Sequence, residues 1–109
     1  MQEVNPLMDE IVDRIVRTIH PQKIILFGSW ARGDARPDSD LDILVIAESS
    51  EPRCTRSSPL YGVLSDILIA MDIVVYTPEE VAEWSEVQAA FITTAVREGK
   101  VLYENHSLF

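Results

Sequence analysis

The run Gly28-Ser29-Trp30-Ala31-Arg32-Gly33-Asp34-Ala35-Arg36-Pro37-Asp38-Ser39-Asp40-Leu41-Asp42-Ile43-Leu44-Val45 decides how the rest of the chain is read, because a glycine-serine pair precedes an Asp-x-Asp pair by ten intervening residues. Asp40 and Asp42 open the apolar stretch Leu41-Ile43-Leu44-Val45-Ile46, which reads as a buried strand. Residues two apart on a strand point to the same face, so both carboxylates are expected side by side at a sheet end. Like charges that close repel unless a proton or a cation lies between them. Rigid oxygen ligands near a phosphate-binding turn suit Mg²⁺, which keeps waters and completes its shell with substrate phosphates. The expected chemistry is metal-assisted transfer of a phosphoryl-type group.

Working outward, Leu7, Ile11, Ile15 and Ile19 recur at helical spacing behind Asn5 and Pro6, a cap followed by a first-turn proline. His20-Pro21 ends that helix, and Lys23 to Phe27 is a short β-rich run stopping at Gly28. Ser29 to Gly33 is at most a short helical piece; Asp34 to Ser39 holds turn formers, and Leu41 to Ala47 is the second strand. Glu48 to Pro59 is polar and serine-rich and reads as a long flexible loop. Leu60, Leu64, Ile67 and Leu68 suggest a helix, and Met71 to Tyr76 a third strand with Asp72 as its one acid. Thr77-Pro78-Glu79-Glu80 is a capping box, Ser85 to Gln88 is a second, Gly99 a helix stop, and Val101 to Tyr103 a last strand.

The chain has 109 residues, 47% of them hydrophobic, which suits one globular domain over residues 1–109 with no room for a second. With 18 acidic against 9 basic residues the formal charge is -9, so the bare chain repels nucleic acid and anionic membranes. A polyanionic ligand must arrive with metal or land on a local positive patch. The N-terminal residues do not form a signal peptide and no apolar run approaches a membrane span, so a cytoplasmic location is expected. Cys54 is the only cysteine and reads as a plain loop thiol.

Asp72 alone could be a solvated strand-start charge; on a strand beside Asp40 and Asp42 it would complete the three carboxylates of a two-metal site. Gly28 permits a tight turn and close approach of backbone N–H groups to phosphate, and the Ser29 hydroxyl can donate to one. Arg32 either pairs with a triphosphate or is a solvated helix arginine. Ser39 either orients the adjacent carboxylate or caps the turn. His20 and His106 have no partner suggesting catalysis or zinc, Trp30 reads as a core aromatic that could line a nucleotide pocket, and Glu79, Glu80, Glu83 and Glu86 read as a solvated helix face.

Gly28-Ser29, ten residues, Asp40-x-Asp42 and the later strand acid Asp72 together resemble the nucleotidyltransferase superfamily that includes DNA polymerase beta, and more narrowly its minimal bacterial and archaeal members. The stretches Tyr-Thr-Pro-Glu-Glu and Arg-Glu-Gly-Lys-Val-Leu-Tyr-Glu are similar to that group as well, so the resemblance covers nearly the whole chain. It implies an α+β nucleotidyltransferase fold, a mixed sheet flanked by helices. It also implies Asp40 and Asp42 as shared ligands of two Mg²⁺ ions, Asp72 as a ligand beside the attacking hydroxyl, and Gly28 and Ser29 on the nucleotide triphosphate, with ATP as donor. A small helical HEPN-type toxin is the implied partner, neutralised by adenylylation, commonly at a tyrosine, with this chain as antitoxin. The alternatives are a binding module that caps such a partner without chemistry, and nucleotidyl transfer to a small molecule.

Overall fold

A computed structural model describes residues 6–33, 35–36, 38–84 and 99–105. Helix α1 (Pro6–Ile19) leads into strand β1 (Lys23–Phe27), short helix α2 (Ser29–Arg32) and strand β2 (Leu41–Ile46). Helices α3 (Arg53–Arg56) and α4 (Ser58–Val63) precede strand β3 (Met71–Tyr76), followed by helix α5 (Pro78–Trp84) and strand β4 (Lys100–Glu104). The strands form one sheet in the order β3-β2-β1-β4. β1 is antiparallel to both β2 and β4, whereas β2 and β3 run parallel, so the sheet is mixed and the fold α+β as expected.

Both sheet faces are apolar, which is why β2 reads as an unbroken hydrophobic run rather than an alternation. One face carries Ile24, Leu26, Leu41, Ile43, Val45, Ile73 and Val75, packed on Ile11 and Ile15 of α1 and on Leu60 and Leu64. The other carries Ile25, Leu44 and Ile46 with Phe27, Val74 and Tyr76, against Val81 of α5. The helical spacing of Ile11 and Ile15 puts both on the inward side of α1, where neither is exposed. His20 closes α1 by donating its N–H to the Val16 carbonyl at 3.0 Å, with its own φ at 49°. Asn5, the capping box from Ser85 and the segment up to Glu98 lie outside the described residues.

Two expectations are corrected between β2 and β3. Residues 48–59 contain a helical turn and the start of α4 rather than one long loop, and the helix expected to run through Leu68 stops at Val63. Leu68 is 97% exposed and so contributes nothing to an inward stripe. Arg14 of α1 stops the helix there: its guanidinium donates to the Val63 carbonyl at 3.0 Å and grips Asp66 at 2.5 and 3.3 Å. That contact holds the Asp66 carboxyl below the ordinary carboxylate range.

The outer edge of β3 is blunted by side chains, a common protection against strand pairing between molecules. Tyr61 Oη accepts the Ile73 N–H at 2.8 Å, and Arg56 donates to the Val75 carbonyl at 3.3 Å. Arg56 is nearly buried, and its other donors go to the Glu51 carbonyl and to both oxygens of Glu80. Glu80 also accepts the Thr77 N–H while the Thr77 hydroxyl accepts the Glu80 N–H, so the expected capping box forms. Glu80 is therefore no solvated helix charge. Replacing Glu80 by alanine removes a cap and leaves Arg56 without its carboxylate, and the expected cost is about 3 kcal/mol. Removing Asp13, whose pair with Arg17 is exposed on both sides, should cost at most about 0.5 kcal/mol. Urea denaturation of the two variants measures the difference.

Candidate active site

The parallel register of β2 and β3 sets Asp42 directly beside Asp72. Because side chains alternate along a strand, Asp42 shares a face with Leu44 and Ile46, and Asp72 with Val74 and Tyr76. Both carboxylates thus continue the second apolar face at the end where β2 and β3 begin. β1 runs the opposite way, so Phe27 pairs with Asp42 and the next residue, Gly28, turns over the same spot. The strands that make the core also bring the glycine turn to the acids.

Gly28 has φ 76°, a left-handed conformation that side chains resist. A Cβ built there would collide with Asp42 Oδ2, so the glycine is needed to leave the carboxylate its room. The Gly28 carbonyl then accepts the N–H groups of Ala31 and Arg32 at 3.1 Å each, starting α2, and Gly33 closes it at φ 86° by donating to Ser29. Trp30 Nε1 donates to the Ser39 carbonyl at 3.0 Å, tying α2 to the residue before Asp40. Its ring packs against the core, in line with the core reading, and its indole N–H braces the loop. Ser39 Oγ accepts the Arg36 N–H at 2.8 Å while Ser39 N–H donates to the Arg36 carbonyl, which is the capping alternative for this residue.

The electrostatics converge on Asp42. Its carboxyl is pushed above the ordinary range, first by burial, then by the negative charges of Asp72 and Asp40, with Arg32 pulling the other way. The structure therefore brings Asp40, Asp42, Asp72 and Arg32 into one field, with Gly28 against Asp42 and Ser29 heading α2. Among the described residues no group of three or more His, Cys, Asp or Glu side chains is gathered tightly enough to hold an ion alone. The cluster is an open set of oxygens with excess negative charge, which fits a hard cation that takes its remaining ligands from elsewhere. Sequence reasoning missed the Gly28–Asp42 contact and the Trp30 brace; a lone tryptophan inside a polar, turn-forming run was the available signal for the second.

Two outcomes follow from this geometry. Gly28→Ala should destabilise by about 1–3 kcal/mol, and by less in an Asp42→Ala background, where the colliding oxygen is gone; a double-mutant cycle by chemical denaturation reads the coupling. Because the folded state raises the Asp42 pKa, its contribution to stability is present below the unfolded pKa and is lost as pH rises through the folded one. Asp42→Asn should therefore be more stable than the wild type near neutral pH, with the gap closing as pH falls through the carboxylate range. Melting temperatures across that range measure it.

Residues 9–108 match the family described as Polymerase beta, Nucleotidyltransferase. A relative from Methanocaldococcus jannaschii, named "Putative protein adenylyltransferase MJ0604", is 34% identical over 86 residues, covering 75% of this chain and 78% of its own. The fold is also that of two crystallised systems. One is a toxin-antitoxin with AMP-PNP, at TM-score 0.63 and 24% identity, covering 90% of this chain and 74% of the other. The second is a mutant of the toxin-antitoxin MntA-HpeT, at TM-score 0.64 and 21% identity, covering 94% and 76%. At those identities the two structures speak for the fold alone, whereas the family match runs through β1, the glycine turn and both acidic strands. The chain belongs to the polymerase beta nucleotidyltransferase family and is an enzyme of that class.

Proposed function

We propose that residues 1–109 form a single minimal domain that transfers AMP from magnesium-bound ATP to a hydroxyl, a tyrosine's, of a small helical HEPN-type toxin, acting as its antitoxin. The observation that carries the reading is the in-register pairing of Asp42 with Asp72 under the Gly28 turn. The relative named for protein adenylyltransferase and the toxin-antitoxin structures with the same fold support the choice of donor and acceptor class. No helix among the described residues is long and apolar enough to cross a membrane.

In this reading Asp40 and Asp42 would hold two Mg²⁺ ions jointly, with Asp72 as a further ligand on the side of the attacking hydroxyl. Mg²⁺ held by these residues would supply charge neutralisation for the carboxylates and the triphosphate. Gly28 brings backbone close to the phosphates, and the Ser29 hydroxyl donates to them. Arg32, whose positive charge already reaches Asp42, pairs with the triphosphate in this reading. Ser39 fixes the loop that delivers Asp40 through its turn with Arg36. Nucleic acid is not expected as a ligand, given the formal charge of -9.

Mg²⁺ alone should bind weakly, and more tightly with a non-hydrolysable ATP analogue, because three carboxylates leave an octahedral shell to be completed by phosphate oxygens and water. Calorimetry that found metal affinity indifferent to the analogue would contradict the shared site. Co-expressed with its helical partner and supplied with ATP and Mg²⁺, the wild type should add one AMP mass, or multiples, to that partner, and Asp42→Asn should add none. An unmodified partner that the Asp42→Asn protein still neutralises would instead establish the capping role, in which the surface alone silences the toxin.

A further inference from the structure

Tyr61 projects from α4, which packs on the α1 side of the sheet, yet its hydroxyl reaches the β3 edge. There Oη accepts the Ile73 N–H at 2.8 Å. That nitrogen belongs to the peptide group joining Asp72 to Ile73, so two covalent bonds separate it from the Asp72 Cα. Oη is therefore no more than about 6 Å from that Cα. Oη is the acceptor in this bond, so its own proton is not spent on it, and the residue is 42% exposed. The other described tyrosines are worse placed. Tyr76 is at the far end of β3, about 13 Å along the strand from Asp72, and Tyr103 is on β4, at the opposite edge of the sheet.

We propose that Tyr61 is itself a nucleotidylation site, an in-chain acceptor for AMP from a nucleoside triphosphate bound at the Gly28–Asp42–Asp72 cluster; this rests on the function proposed above. Tyr61 Oη attacks the α-phosphorus, the new O–P bond forms as the bond to the bridging oxygen of the β-phosphate breaks, and pyrophosphate leaves. The phenolic proton passes to solvent. The half-exposed ring swings its hydroxyl from the β3 edge toward the face carrying Asp72, giving up the bond to Ile73. The product is a tyrosyl phosphodiester that adds one negative charge beside carboxylates that already repel one another. The modified chain binds Mg²⁺ and ATP less well, so the reaction limits itself.

The purified chain is incubated with ATP and MgCl₂, followed by intact-mass measurement and peptide mapping. The expected result is a single AMP adduct on Tyr61, absent from Tyr61→Phe and Asp42→Asn, retained in Tyr76→Phe and Tyr103→Phe, and forming at a rate constant unchanged by tenfold dilution. No adduct, an adduct on another residue, or a rate constant that falls on dilution overturns in-chain transfer to Tyr61. Mapping the wild type decides the site even where Tyr61→Phe loses its fold. Calorimetry with Mg²⁺ and a non-hydrolysable ATP analogue separates the two ideas. Binding without an adduct overturns the Tyr61 proposal alone, and absence of both overturns the nucleotide site with it.

Discussion

The parallel pairing of β2 with β3 is the constraint on which this molecule depends, because it fixes two like charges next to each other. Left to themselves Asp42 and Asp72 would separate. They cannot, since the same register that aligns them also aligns Ile43 with Ile73 and Val45 with Val75 in a core from which water is excluded. Sliding β3 by one residue would relieve the repulsion but take Ile73 and Val75 out of the face that packs on α1 and place Asp72 there instead, a far larger loss. The hydrophobic pattern thus enforces an electrostatic conflict, and the conflict is what makes the cluster attractive to a cation.

Much of this was legible in the sequence because the relevant signals are local. The strand from Lys23 ending at Gly28, the Asp-x-Asp entrance to β2 and the lone acid at the start of β3 could each be read from spacing and residue type. What was hidden depends on contacts between distant residues. Arg56 and Glu80 looked like a loop charge and a solvated helix charge because nothing in either neighbourhood shows that the two meet beside β3. The helix starting at Ser58 was overextended for a similar reason. Its termination is set by Arg14, which lies 49 residues before Val63 and is invisible to any periodicity.

The site itself divides along the same line. Residue identities at Gly28, Ser29, Asp40, Asp42 and Asp72 could be picked out in advance, but the reason for Gly28 could not. A glycine before a helix turn suggests room for a phosphate; the structure adds that the room is already needed by Asp42, whose carboxylate lies where a side chain would project. Trp30 is the converse case, an aromatic legible as core whose second task, locking the approach to Asp40 through its indole N–H, was not.

The pairing of β4 with β1 has a consequence for how the chain comes into being. Lys23 and Glu104 are partners across the sheet, so one side of β1 has no described neighbour until Lys100–Glu104 has been synthesised, more than 70 residues later. A ribosome adding roughly 5–20 residues per second leaves that flank open for seconds after β1 itself has emerged. During that interval β1 is a bare strand edge of mostly apolar residues, able to pair with a neighbouring nascent chain. The late return of β4 is therefore also the step that covers this flank of β1, and slowing translation ahead of Lys100 would lengthen its exposure.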